Sequence, residues 1–145
     1  MSNFCFWLWN VRSSQSEDAA NSTLSLMELY QPHLAILIET NNLTKYNPII
    51  TKYPSTIYTP NTPKGQGIAI VPLDPDLTIT NPAFSPDQRI ISFNITRHTT
   101  TYKVGALYVP PQRQDRTPWL NESLLPSLHI IDNCDIIMGD FNMTP

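Results

Sequence analysis

Cys134-Asp135-Ile136-Ile137-Met138-Gly139-Asp140-Phe141-Asn142, near the end of a 145-residue chain, is the stretch that decides the fold. Ile136 to Met138 is a short apolar run and predicts a buried strand. The run halts at Gly139, and two chelating side chains follow at i and i+2, Asp140 and Asn142. A strand that delivers a carboxylate and a carboxamide at its C-terminal edge is a usual layout for an α/β active site. Asp135 stands at the other end of the run. At about 3.3 Å per residue it lies roughly 17 Å from Asp140 and faces the opposite way, so it is no second catalytic carboxylate. The plainer reading of Asp140 and Asn142, as turn residues bonding their own backbone, has to be weighed against the rest of the chain.

Working outward, 145 residues suffice for one domain with a sizeable core. A hydrophobic content of 41% against 14% charged residues excludes a disordered chain or a coiled coil. Fourteen prolines and only four glycines predict extended segments joined by proline turns. A net charge of −3 excludes binding to nucleic acid by bulk electrostatics, so a phosphate substrate must be gripped locally. Cys5 and Cys134 read as buried thiols of a reducing, intracellular setting, with no zinc-ligand spacing. Neither a signal peptide nor a membrane span is visible, so no membrane association is expected.

In chain order, Phe4 to Val11 predicts a first strand with Asn10 near its exit. Trp7 and Trp9 flank Leu8 and read as core rings, one packing each way. Glu17 to Tyr30 predicts a helix with acids in its first turn, stopped at Gln31-Pro32. Leu34 to Ile38 is a second strand, ending at Glu39, so the opening reads as a parallel β-α-β unit. Residues 41–54 look irregular. Further strands are predicted at 55–59, 67–71, 77–80, 90–96 and 101–109, the last three antiparallel. Gly65-x-Gly67 reads as a hairpin turn. Thr117-Pro118 predicts a helix start, with a hydroxyl cap and proline in first position, and Pro126 is expected to interrupt that helix. His33, His98 and His129 lack catalytic context and read as structural, while Arg12, Arg113 and Arg116 are candidates for phosphate contact.

Four polar positions thus share one property: Asn10, Glu39, Tyr108 and the Asp140/Asn142 pair each stand at the exit of an apolar strand. Trp-Asn-Val-Arg, Ile-Glu-Thr, Tyr-Val-Pro-Pro and Gly-Asp-Phe-Asn occur in that order. Together they resemble the first half of the endonuclease/exonuclease/phosphatase (DNase I-like) superfamily, from Phe4 to Pro145, and look closest to the endonucleases of non-LTR retrotransposons. The resemblance implies an α/β fold, half of a two-sheet α/β sandwich, as one mixed sheet with helices on its outer face. It implies Glu39 as the carboxylate that holds Mg²⁺, with Mn²⁺ as the alternative ion, and Asn10 as its neighbour. Asp140 would orient and deprotonate the attacking water, Asn142 would position the scissile phosphate, and Tyr108 would hydrogen-bond it. One Glu with an amide is sensible chemistry for an ion that takes one or two carboxylates plus water and phosphate.

Two departures qualify that reading. Arg12 stands where repair-type members carry an Asp, and no Ser-Asp-His motif occurs in the chain. The expectation is therefore an N-terminal portion of a Mg²⁺-dependent phosphodiesterase acting on DNA, truncated and weakly active or inactive alone. The alternatives are a catalytically dead fold kept for nucleic-acid or protein binding, and a phosphomonoesterase of the inositol-phosphatase type. The four residues of Asn10, Glu39, Asp140 and Asn142 should converge at one end of a single sheet. Strands 34–38, 68–71 and 136–138 are apolar on both faces and need cover on both. With helices for one face only, self-association through an exposed apolar sheet face is expected.

Overall fold

The computed structural model describes residues 4–142; the last three positions of the span just compared, 143–145, lie outside the described residues. The chain forms two compact units, Met1–Thr78 and Ile79–Pro145. Its strands divide into two four-stranded sheets where the sequence suggested one.

In the first unit β1 (Phe6–Asn10), β2 (Leu34–Ile38), β3 (Ile57–Tyr58) and β4 (Ile68–Pro72) form a sheet in the order β1-β2-β4-β3. β1 and β2 are parallel, with Asn10 opposite Ile38. β4 is antiparallel to both β2 and β3, so residues 59–67 close a hairpin as expected. Helix α1 (Glu17–Tyr30) makes the crossover between β1 and β2. It begins where the Ser16 hydroxyl accepts from Ala19 N at 3.1 Å, and it ends at Gln31 in the left-handed region, just before Pro32. Ala20, Leu24 and Met27 recur at helical spacing and pack with Ala35, Leu37, Ala69 and Val71 of the sheet.

A second helix, α2 (Pro48–Lys52), lies in the stretch that had looked irregular. Its signal was present: Asn47 caps Ile49 N at 3.0 Å, Pro48 takes the first turn, and Ile49 and Ile50 join the α1 cluster. Trp7 and Trp9 both pack against that cluster, with ring centroids 5.3 Å apart. They do not point opposite ways, because residues i and i+2 of a strand share a face. Every residue of β2 and β4 is buried, so the bare apolar face expected from the sequence does not exist on these strands. The expectation took the strands for one sheet, whereas the described strands divide into two.

In the second unit β5 (Leu77–Phe84), β6 (Ile90–Arg97), β7 (Thr100–Tyr108) and β8 (Ile136–Asp140) are arranged in that order, β5 starting just before the unit boundary. β6 and β7 are antiparallel, and β7 and β8 are parallel with Tyr108 opposite Asp140. β8 is an edge strand, not a buried one, and Ile137 is 49% exposed. Cys5, read as buried, is exposed ahead of β1. The helix read as starting at Thr117-Pro118 instead begins as α3 (Arg113–Trp119), directly after Pro110-Pro111. Pro118 therefore sits inside it, where it can give no N–H to the carbonyl four residues back, that of the exposed residue Gln114. Around Pro126 the helical path changes from a π turn (Leu120–Leu124) through α4 (Leu125–Ser127) to a 3₁₀ turn (Leu128–Ile130). Trp119, Ile130 and Ile131 pack on Ile90, Leu107 and Val109.

The β5–β6 connection is pinned to that helical segment by one carboxylate. Asp87 accepts from Ser85 Oγ at 2.6 Å, Arg89 N at 3.2 Å and Trp119 Nε1 at 2.8 Å. Burial pushes the Asp87 carboxyl up, but the hydrogen bonds from Ser85, Arg89, Trp119 and Ser123 outweigh it and hold the group below its ordinary range. A carboxyl that ionises more readily folded than unfolded adds stability above its unfolded pKa, lost as pH falls through the folded value. Asp87→Asn should thus be less stable than wild type at neutral pH. The gap should narrow on acidification below about pH 4 in denaturant melts run across pH.

Candidate active-site residues at two strand edges

Parallel pairing sets two chain exits side by side, and in both described parallel pairs polar residues stand at or just past the ends. At the end of β1 and β2 the Asn10 side-chain amide donates to Glu39 Oε2. Asn10 Oδ1 in turn accepts from Arg12 N at 3.0 Å, and Val11 N donates to Ile38 O at 3.0 Å. Asn10 is thus fixed at both ends of its amide and orients the Glu39 carboxylate.

The backbone here is strained. Glu39 (φ 57°), Asn41 (φ 59°), Arg12 (φ 54°) and Ser13 (φ 131°) all have positive φ. For a non-glycine residue the left-handed region costs roughly 1–2 kcal/mol, comparable to what burying one aliphatic side chain returns. The turn is held by Thr40 N to Gly67 O at 3.3 Å, Asn41 N to Gln66 O at 2.7 Å and Ser14 N to Thr40 O at 3.0 Å. Gly67 (φ +104°) makes this approach possible, since an added Cβ would lie 2.6 Å from Thr40 Oγ1 and 2.8 Å from Asn41 O.

At the end of β7 and β8 the pair Tyr108–Asp140 is extended by Val109 N donating to Asp140 O at 2.9 Å. Asp140 Oδ1 accepts from Asn142 N at 3.1 Å, and Asn142 Nδ2 donates to Val109 O at 2.6 Å. The turn that orients the carboxylate thereby also fixes the amide. Gly139 lets β8 lie this close, because a Cβ there would meet Leu107 O at 2.9 Å. Tyr108 is buried, and the Arg89 guanidinium carbon lies 4.6 Å from its ring centroid while Nη1 donates to Tyr108 O at 3.3 Å. Sequence reasoning missed Arg89, since only the antiparallel register of β6 on β7 sets it beside Tyr108. Arg116, a candidate for phosphate contact, instead donates to the carbonyls of Pro110 and Pro111 at 3.3 and 3.1 Å. His33 is structural: its Nδ1 accepts from Cys5 N at 2.8 Å.

The expected convergence at one end of a single sheet is corrected accordingly. Asn10 belongs to the first sheet and Glu39 to its exit, and Tyr108 and Asp140 belong to the second sheet and Asn142 to its exit. Among the described residues no group of three or more His, Cys, Asp or Glu is placed to hold a metal. The donor set at the first edge is one carboxylate oriented by an amide, which fits Mg²⁺ with its remaining positions filled by water and phosphate.

No family model and no curated protein matches the sequence. Solved structures do match. A humanized D. rerio TDP2 aligns with a TM-score of 0.73 at 15% identity, over 98% of this chain and 63% of that one. The AP endonuclease from Archaeoglobus fulgidus gives 0.71 at 18% identity, over 99% and 59%. The 3' phosphatase NExo from Neisseria, bound to a product DNA hairpin, gives 0.70 at 16% identity, over 99% and 59%. All three are endonuclease/exonuclease/phosphatase superfamily proteins, and this chain has their DNase I-like α/β fold. It spans about 60% of the length of the structures it matches.

Asn10→Ala should cost about 1–2 kcal/mol in urea unfolding, since it removes a hydrogen bond to a charged, half-buried carboxylate and one to Arg12 N. Gly67→Ala should cost more, because the clash falls on the backbone of the Glu39–Asn41 turn. A Gly67→Ala melt superimposable on wild type would show that the turn can relax.

Proposed function

We propose that this chain carries the first portion of a Mg²⁺-dependent phosphodiesterase that cleaves DNA, weakly active or inactive by itself. The observation that carries the reading is the Asn10–Glu39 pair, a carboxylate held by an amide on a left-handed backbone at the ends of parallel strands. Strain kept at a strand exit is a mark of functional sites. Support also comes from the shared fold and from the solved neighbour named as bound to a DNA hairpin. That neighbour's name as a 3' phosphatase favours one alternative, hydrolysis of a phosphomonoester.

In this reading Glu39 holds Mg²⁺ and Asn10 keeps its carboxylate aligned. Bound there, the ion would neutralise charge that builds on the phosphoryl oxygens. Asp140 orients the attacking water and takes its proton; its Oδ1 already accepts from Asn142 N, which fixes the carboxylate plane. Asn142 uses one amide hydrogen on Val109 O, and its second positions the scissile phosphate. Tyr108, braced by Arg89, donates its hydroxyl to the same phosphate.

Calorimetric titration of the 145-residue chain with Mg²⁺ should show weak binding that Glu39→Gln abolishes while its melting temperature stays near that of wild type. Tight binding, or binding indifferent to Glu39→Gln, would overturn the metal assignment. Supercoiled plasmid with Mg²⁺ should be nicked no faster than background. Robust nicking abolished by Asp140→Ala would instead show that this portion is a working enzyme.

A further inference from the structure

The segment that leads away from Glu39 has a charge pattern unlike the rest of the chain. Residues 40–67 hold three of the four lysines, Lys45, Lys52 and Lys64, and no Asp or Glu, in a protein of net charge −3. Lys52 is engaged by Glu28 in an ion pair. Lys45 and Lys64 are exposed, and Lys45 Nζ lies 5.0 Å from the ring centroid of Tyr46. Tyr46 is 78% exposed, more than any other large hydrophobic side chain among the described residues.

An exposed tyrosine is by itself ordinary surface. This one is displayed by a loop fixed on both sides. Leu43 is buried in the cluster under α1 and α2, and Asn47 is buried with its Nδ2 donating to Ser14 O at 2.6 Å. Between them Tyr46 N donates to Thr44 Oγ1 at 3.3 Å and Asn47 N to Thr44 O at 3.0 Å. Ser14 also donates its N–H to Thr40 O, which ties the loop to the turn at Glu39. The 59–67 loop is stapled alongside: Asn61 N donates to Asn42 Oδ1 at 2.9 Å and Gly65 N to Asn41 Oδ1 at 2.7 Å. Lys64 therefore stands next to the same turn. Folding has already met the ordering cost of presenting this ring and these cations, which favours affinity for whatever they meet.

An aromatic ring beside cations, on a segment that itself carries no Asp or Glu, suits a stacked base between phosphates. A duplex keeps its bases stacked on each other, so the base must be unpaired. We infer that loops 40–47 and 59–67 form a binding ledge for single-stranded nucleic acid, with Tyr46 stacking one base and Lys45 and Lys64 contacting the backbone. The inference rests on the nucleic-acid reading above and adds to it the strand state of the ligand and the residues that meet it.

Fluorescence anisotropy of a labelled oligodeoxythymidine tests it, with the same strand made abasic and a duplex of equal length as controls. Tyr46→Ala should weaken binding about 5-fold or more, while Tyr46→Phe, which keeps the ring, stays within about 2-fold of wild type. The abasic strand should bind wild type and Tyr46→Ala alike. Lys45→Gln and Lys64→Gln should each flatten the log–log salt dependence by about 0.7. If wild type binds the oligonucleotide and Tyr46→Ala binds it equally, the ledge is wrong and the nucleic-acid reading stands. Tighter binding of the duplex overturns the single-strand assignment, and a wild-type chain that binds no oligonucleotide overturns both.

Discussion

The hydrogen bond from the Asn10 amide to the Glu39 carboxylate is the contact on which the chemistry proposed for this protein depends, and it exists only because β1 and β2 run parallel. Antiparallel pairing would put the two exits at opposite ends of the sheet. The pairing is secured by the α1 crossover, which demands a parallel return, and by β2, whose five residues are all buried. Burial of each such side chain contributes about 1.5–3 kcal/mol. That is enough to hold the left-handed residues clustered at the strand ends.

The second parallel pair repeats the device with different chemistry. β7 and β8 bring Tyr108 opposite Asp140, and the Asp140–Phe141–Asn142 turn then locks carboxylate and amide to one another and to Val109. Arg89, and Arg116, the latter read from the sequence as a candidate for phosphate contact, brace this exit through Tyr108, Pro110 and Pro111. Arginine presents five donors in a planar fork, so it satisfies loop carbonyls as readily as phosphate. Sequence cannot separate the two uses.

Local rules worked where the chemistry that decides them is local. Ser16, Glu17 and Asp18 mark the start of α1 and Gln31-Pro32 its end, and the structure places the helix over the same residues. Asn-Pro and Thr-Pro carry the same start signal, yet it holds at Asn47-Pro48 and fails at Thr117-Pro118. At the second site the helix starts earlier, Trp119 is anchored by Asp87, and Pro118 falls on the exposed side of the helix. Propensity yields there to tertiary packing.

What the sequence by itself determined was the set of strand exits: Asn10, Glu39, Tyr108, Asp140 and Asn142 could be picked out because an apolar run followed by a polar side chain is a one-dimensional pattern. The parallel β1–β2 pairing was legible too, since a helix between two strands demands a crossover. Only the tertiary structure decided how the strands divide into two sheets and that both faces of β2 and β4 are buried. It alone showed that Asn10 reaches Glu39 and that Arg89 lies on Tyr108. The reason is the range of the forces: a strand's period and its ending are written in neighbours along the chain, whereas sheet membership depends on which distant strand offers the better-matched backbone and buried face.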